Sequence, residues 1–571
     1  MHRRSFLIST ASALSLGALG LARANSRSAS PASVSPLQSK LTAANDALIP
    51  ELLRRQNELG GVTDAYGIPT AQDTARLVTV LSIARHAPGS RHYRDPSLLP
   101  AAERAAAFLL KAQHEDGTID LVATNFHSPP DTAFVVESIG PLAALLRREA
   151  DPSEAALRGQ LDNFLRRAGE ALLTGGVHTP NHRWVVCAAL ACIHSQFPDP
   201  RYITRINQWL AETIDIDADG QYTEKSTSVY SPVVDRALLT VARHLGRPDL
   251  REPVRRNLEM TLYYVHPDGE VVTEASKRQD KYQRGSMGRY YYSYRTLARI
   301  DNNGRFAAMA AKIEESAGAQ LTGELLTFLA ELEFAGELPA MQALPDNYAK
   351  VFPLSQLARI RRGAVSATVL AQNSTLFSFR KGKAALEALR CASAFFGKGQ
   401  FVGEKLEVVD GGYRVEQRFE GPYFQPLSTD QITEGEHVHM APNGTLAVGG
   451  RAARAQSNIQ HLMARAVVRE ESGRFSIELE LSGTRGVPVA VELAFRHGGR
   501  LEGVTPVKDI SDAYLLKSGT GRFTVGDDSI SFGPGQAEHT WTQLRGALPK
   551  WDGQSVYLTG FTPFRINLEI S

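Results

Sequence analysis

Between about residue 41 and residue 335 the chain repeats one pattern, apolar residues at three- and four-residue spacing broken by Gly, Pro or Asp-Gly, and this constrains the fold more than any other feature. The spacing predicts helices near 42–58 and over 74–86, 101–113, 132–148, 154–173, 182–196, 201–214, 233–244, 252–265, 288–300, 305–316 and 322–333. About twelve helices joined by short connections pair into six antiparallel hairpins, which bury both faces of their layer when they close into a ring. The expectation is an α/α toroid. No strict sequence repeat accompanies it, so it rests on helix number and loop length.

After a Pro-containing linker (336–354) the texture changes to short alternating runs rich in Val, Phe, Leu and Thr. Stretches 364–370, 374–380, 414–419, 444–448, 475–482, 487–496, 521–525, 529–532 and 555–559 read as strands. Residues 355–571 are therefore expected to form an antiparallel β domain, a sandwich or stacked sheets. At 571 residues with 43% apolar content, the chain has enough length for more than one core.

The N-terminus carries His2-Arg3-Arg4-Ser5-Phe6-Leu7, an apolar run to Leu21, and Ala22-Arg23-Ala24. Charged start, short greasy core and A-x-A site in that order read as a twin-arginine export signal over residues 1–24, with a flexible Ser/Ala/Pro leader over 25–40. The expected location is the periplasm or beyond, and no other run is apolar enough to span a bilayer. Loss of residues 1–24 leaves 60 basic against 61 acidic residues, a balance that argues against nucleic acid as partner. It leaves room for local arginines that hold an acidic glycan. Cys187, Cys192 and Cys391 are expected as buried free thiols, because two of them sit five apart in one helix, facing different ways.

Chemistry-bearing residues cluster at helix starts. Pro180 suits a first helical turn and Thr179 a cap, which puts Asn181, His182, Arg183 and Trp184 at the opening of a helix. Asp219-Gly220 makes a turn, Tyr222 and Glu224 follow, and Tyr230-Ser231-Pro232 precedes the next helix. Two polar-aromatic clusters at the same end of successive hairpins face one cleft. An earlier loop with Asn125 and His127, and a later one with Arg278, Arg284 and Arg289 running into Tyr290-Tyr291-Tyr292, occupy corresponding positions. There arginines suit carboxylates or sulfates, and aromatic rings suit sugar faces.

Asn181-His182 at a helix start, a Glu-x-x-x-x-x-Tyr pattern ending about fifty residues later at Tyr230, an α/α domain before a β domain, and an export signal together resemble the heparinase II/III-like polysaccharide lyases and their alginate-lyase relatives. The resemblance implies that Asn181 and His182 contact a uronate carboxylate and that Tyr230 transfers the proton. It also implies a histidine from the β domain. His437 and His439 are the candidates, and Gln400 occupies a segment where that histidine is missing. The residues agree with such chemistry, since the C5 proton beside a carboxylate becomes removable once hydrogen-bond donors neutralise the carboxylate. No cofactor is required. A structural metal in the β domain is conceivable, but His437 and His439 have no third ligand in view.

Rival readings keep the toroid. A glycoside hydrolase would use paired carboxylates drawn from Asp131, Glu137, Asp219, Glu224 and Asp235. A uronate C5-epimerase would share the first proton abstraction and then reprotonate C5. A non-enzymatic exported glycan-binding protein would use Trp184 and the tyrosines for stacking alone. The sequence does not fix the oligomeric state.

Overall fold

The computed structural model describes residues 35–428, 439–440, 446–447 and 454–571, so the expected export signal lies outside the described residues. Thirteen α-helices lie within them: α1 (Pro36–Arg55), α2 (Ala71–His86), α3 (Leu99–Ala112), α4 (Pro129–Glu149), α5 (Ala155–Thr174), α6 (Pro180–Gln196), α7 (Pro200–Ala211), α8 (Tyr230–Leu245), α9 (Arg251–Thr261), α10 (Tyr291–Ile300), α11 (Gly304–Ala317), α12 (Glu324–Ala330) and α13 (Leu332–Ala335). The leader expected to reach residue 40 ends earlier. Ser35 and Gln38 form a reciprocal capping box that starts α1 at Pro36.

The even-numbered helices α2 to α10 form an inner ring and their odd-numbered partners an outer one. Burial follows this order. From Trp184 to Ile193 every residue of α6 is buried, whereas α7 buries only Tyr202 and Ile206, as an outer helix with one apolar stripe should. α12 folds back against α1, α2 and α4 and sends Glu324 to Arg236 of α8 at 2.6 Å, completing the ring.

The loops that enter the inner helices share a device. Gly117 and Gly220 take φ of +84° and +91°, and a Cβ there would lie 2.2 Å and 2.5 Å from the backbone oxygens of Arg167 and Arg256 on the next outer helix. Only glycine fits both the dihedral and the approach. Each turn therefore docks onto the neighbouring hairpin and holds the mouth of the ring together.

The β domain begins earlier than expected, at strand Asn347–Phe352 inside the presumed linker. Two sheets stack into a sandwich. The larger runs from Thr505–Pro506 through Ala513–Leu515, Gln554–Phe561, Pro488–Phe495, Ala384–Ser393, Phe377–Lys381, Val365–Leu370 and Leu357–Arg362 to Asn347–Phe352. The second contains Lys405–Val409, Gly412–Phe424, Gln456–Glu471, Arg474–Gly483, Phe564–Ile570, Asp528–Gly533, Gly521–Val525 and Arg500–Glu502. Pairing is antiparallel except between Ala513–Leu515 and Gln554–Phe561. Phe564–Ile570 alternates buried and exposed positions, because one of its faces meets water. Val365–Leu370 is buried almost throughout, because its outer face meets the toroid: Leu357 and Leu370 pack with Met260, Tyr264 and Val272.

Polar contacts lock the same interface. Glu270 accepts from Arg380 at 3.0 Å and Arg496 at 2.9 Å, and Glu274 accepts from Thr368 and Ser378, both at 2.7 Å. His266 Nδ1 lies 3.0 Å from Ser366 Oγ. The toroid residues in these contacts belong to the segment between α9 and α10, which is thus clamped by the β domain.

Candidate active site

The start of α6 is capped from a distance. Thr179 makes no side-chain cap; instead Glu224, on the loop before α8, accepts from the Asn181 backbone N–H at 3.0 Å and from Asn181 Nδ2 at 2.6 Å. A carboxylate at a helix N-terminus meets free N–H groups and the positive end of the helix dipole. Asn181 Nδ2 also donates to Thr179 Oγ1 at 3.2 Å. Both amide hydrogens thus point into the protein and Asn181 is 1% exposed, so the expected role of its amide as a free donor to substrate is not displayed. Its Oδ1 is buried without a partner.

Tyr230 opens α8 and is half-buried. Its backbone N–H donates to Ser226 Oγ at 3.1 Å. The clamped segment between α9 and α10 reaches it: Gln279 Nε2 donates to the phenolic oxygen, and the Arg278 guanidinium lies 5.3 Å from the ring centroid. Asp280, 1% exposed, ties the two loops, accepting from the Ser228 backbone N–H and from Ser276 Oγ, each at 3.0 Å. Lys277 N–H donates to the Lys225 carbonyl at 2.8 Å. Gln279 and Asp280 lie in the polar stretch visible in the sequence, but no spacing rule connects them to Tyr230.

Arg278 joins the two halves of the site. Its Nε lies 3.7 Å from Glu224 Oε1, and its side chain keeps 37% of its surface exposed. His182 follows Asn181, with its ring 4.7 Å from that of His178 and 6.1 Å from that of Phe134. Burial, with the neighbouring His178 and Arg278 charges, lowers its pKa to about 4 against an opposing pull from Asp131. The imidazole is therefore neutral at ordinary pH, able to donate from one nitrogen and accept at the other.

Several expected contacts to substrate prove to be internal. Trp184 is fully buried and donates to Asp215 at 3.1 Å, while Arg183 binds Asp215 at 2.8 Å and Glu212 at 3.2 Å. Tyr222 is 2% exposed and donates to Asp235 at 2.8 Å, with burial pushing its pKa well above the usual value. Tyr290, Tyr291 and Tyr292 are likewise buried. These aromatics stand on the inward side of their elements, a direction that residue type does not encode.

Asn125 donates to Asp131 at 2.9 Å at the foot of a small hairpin. His127 stacks on His114 with centroids 3.8 Å apart and reaches Asp116 at 2.7 Å. Arg284 and Arg289 are exposed. In the β domain Gln400 donates to the Cys391 carbonyl at 3.1 Å and accepts from the Leu548 N–H at 3.1 Å, which commits its amide to the fold. His437 lies outside the described residues, and His439 stands on the short strand His439–Met440. Among the described residues no group of three or more His, Cys, Asp or Glu side chains could hold a metal ion. All three cysteines are buried and free. No described helix is long and apolar enough to cross a membrane.

The carboxylates named as hydrolase candidates each have a protein partner. Asp235 is fully buried on Tyr222, Asp219 accepts from the Ser355 N–H at 2.8 Å, Asp131 accepts from Asn125 and Ser128, and Glu224 holds Asn181. Glu137 pairs with Arg236 at 3.2 Å.

No family model matches the sequence, and a search of curated proteins finds no match. Solved structures do match. The chondroitin AC lyase of Streptomyces coelicolor A3, in complex with chondroitin sulphate, aligns over 94% of this chain and 80% of its own length, with a TM-score of 0.53 at 13% identity. A Paenibacillus xanthan lyase aligns over 94% of this chain and 57% of its own, with a TM-score of 0.52 at 9% identity. The chain thus shares the α/α toroid plus β-domain fold of these polysaccharide lyases.

Proposed function

We propose that this protein is a polysaccharide lyase that cleaves a uronate-containing glycan by β-elimination. The observation that carries the reading is that Gln279 and Arg278 both meet Tyr230, while Arg278 also reaches Glu224, the brace of the α6 start that carries His182. Arg278 and neutral His182 meet the uronate carboxylate and draw charge from it, which acidifies the C5 proton. Tyr230 takes that proton as its phenolate; Gln279 and Arg278 suit an oxygen that is negative during the transfer. Electrons from the C5–H bond form the C4–C5 double bond as the C4–O bond breaks. Tyr230 then returns the proton to the departing oxygen, leaving a 4,5-unsaturated uronate and a new hydroxyl end.

In this reading Asn181 and Glu224 form the buried strut that sets the position of His182, in place of the substrate contact that the resemblance implies for Asn181. The same folds in relatives named for chondroitin and xanthan fit an acidic polysaccharide as substrate. Export would place the protein with such polymers. The test is incubation with alginate, glucuronan, hyaluronan, chondroitin and heparan-type chains while following the ultraviolet absorbance of the unsaturated uronate. A rise with at least one polymer, lost in Tyr230→Phe, is the expected result; no rise with any of them contradicts the proposal.

A further inference from the structure

At one end of the β domain the aromatic residues of the core run out into water. Strand Gly412–Phe424 turns Phe419 inward, where it packs in the sandwich core with Phe395. Two and four residues on, the same face bears Gly421 and Tyr423, and Tyr423 is 59% exposed. The register shifts between them: Gly421 pairs with Gln460 and Tyr423 with Ser457, so the partner strand holds one extra residue there, and its Asn458 takes φ +48°. Such a bulge re-aims the side chains beside it.

Phe396 lies on this strand end. A Cβ on Gly421 would come 2.4 Å from the Phe396 ring, so glycine alone lets the ring rest on the backbone. The ring meets that of Tyr423 edge-on with centroids 5.5 Å apart, and 42% of Phe396 stays exposed. Its φ is +51°, a region that costs a bulky residue free energy and persists where the surroundings impose it. Here they do: Phe395 is buried in the core, Lys398 N–H donates to the Phe395 carbonyl at 3.0 Å, and Gly399 pairs with Ser393. Burial of Phe396 does not offset the strain, since the ring is presented to water. A cation stands beside it. A Cβ on Gly397 would lie 3.8 Å from Arg545 Cγ and Nε. Arg545 is exposed, and among the described residues its guanidinium has no ion pair or hydrogen bond. Two exposed rings with an unpaired guanidinium beside them fit the apolar face of a sugar that carries an oxyanion.

We infer that Phe396, Tyr423 and Arg545 form an accessory glycan-binding site on the β domain, in which the two rings stack on a sugar and Arg545 pairs with its carboxylate or sulfate. That the ligand is an acidic glycan rests on the function proposed above; that it binds here rests on the rings and the arginine. The site stands apart from the reacting groups. The Phe396 loop runs on to Val402, whose carbonyl accepts from the Asn373 N–H at 2.9 Å, and Asn373 in turn accepts from Tyr282 at 3.0 Å, three residues past Gln279. Six residues, at most about 22 Å of chain, separate Phe396 from that contact with the toroid. Only a ligand of several sugars reaches both places.

Calorimetric titration of the full chain tests it, in a Tyr230→Phe background so that the polymer stays whole, with hyaluronan, chondroitin sulfate and neutral dextran. Phe396→Ala/Tyr423→Ala and, separately, Arg545→Gln are compared with that parent once melting curves show all three folded. Weakening of at least about tenfold for an acidic polymer in both variants is the expected result, with dextran bound weakly throughout. Weakening for both acidic polymers assigns the carboxylate as the group held, and weakening confined to chondroitin sulfate assigns the sulfate. Equal affinity in either variant, no binding of either acidic polymer by the parent, or dextran bound as tightly as they are overturns the inference. Binding that depends on the rings and Arg545, without unsaturated-uronate absorbance from the wild-type protein, removes the lyase reading and keeps the accessory site.

Discussion

At the scale of single residues, the cluster divides into groups that face the cleft and groups that hold them. Arg278→Ala should lower kcat/KM by about 10²- to 10³-fold, the cost of removing one preorganised charge-stabilising donor, with little change in melting temperature because the side chain is partly exposed. Trp184→Ala should do the reverse, costing about 3–5 kcal/mol of stability as a buried aromatic while the folded fraction keeps its KM; a KM rise with unchanged stability would put Trp184 back in the cleft. His182 supplies a pH prediction. Its folded-state pKa of about 4 lies below the ordinary 6.5, so it favours folding fully above pH 6.5, and that contribution is lost as pH falls toward 4. A histidine titration by NMR should show the His182 imidazole, like those of His244 and His266, still neutral at pH 5.5, with its signal missing in His182→Gln. The sequence made Asn181, His182 and Tyr230 legible because helix starts can be read from Pro and neighbouring small polar residues. It could not show that Trp184 and Tyr222 point inward, since an aromatic serves a core as readily as a sugar face.

At the scale of elements, the period of apolar residues carried the helices almost to their ends, and the errors have local causes. α1 begins at Pro36 because Ser35 and Gln38 cap it, a signal masked by the Ser- and Pro-rich composition around it. The strands Leu357–Arg362 and Ala384–Ser393 escaped notice because a sheet buried on both faces loses its alternation. The Asp-Gly turns recur at Gly117, Gly220 and Gly269, each at positive φ, a weak repeat carried by loops rather than helices. Gly220→Ala should therefore cost at least about 1–2 kcal/mol from the left-handed dihedral alone, added to the 2.5 Å approach to the Arg256 oxygen. Thermal melting should fall, and activity with it, because Glu224 lies on the same loop. A variant that melts like the wild type would show that this turn does not anchor the hairpin.

At the scale of the whole molecule, the β domain acts through the segment it grips. Residues 266–282 are tied to Ser366, Thr368, Asn373, Ser378, Arg380 and Arg496, contacts about a hundred residues or more distant in sequence and so invisible to any local pattern. This is how Arg278 and Gln279 come to stand on Tyr230. Glu270→Ala leaves Arg380 and Arg496 without the carboxylate they share, while Arg496 keeps Glu387 at 2.6 Å, and hydrogen exchange over residues 273–284 should quicken while that in α6 stays slow. Unchanged exchange there would mean that the toroid alone holds the loop. The central claim is that Tyr230 moves the C5 proton of a uronate, and the most direct measurement is the initial rate of unsaturated-uronate absorbance for wild type and Tyr230→Phe on whichever acidic polymer responds. A fall of at least about 10²-fold in a variant with an unchanged melting curve is the predicted result; a Tyr230→Phe protein that cleaves at the wild-type rate contradicts the account.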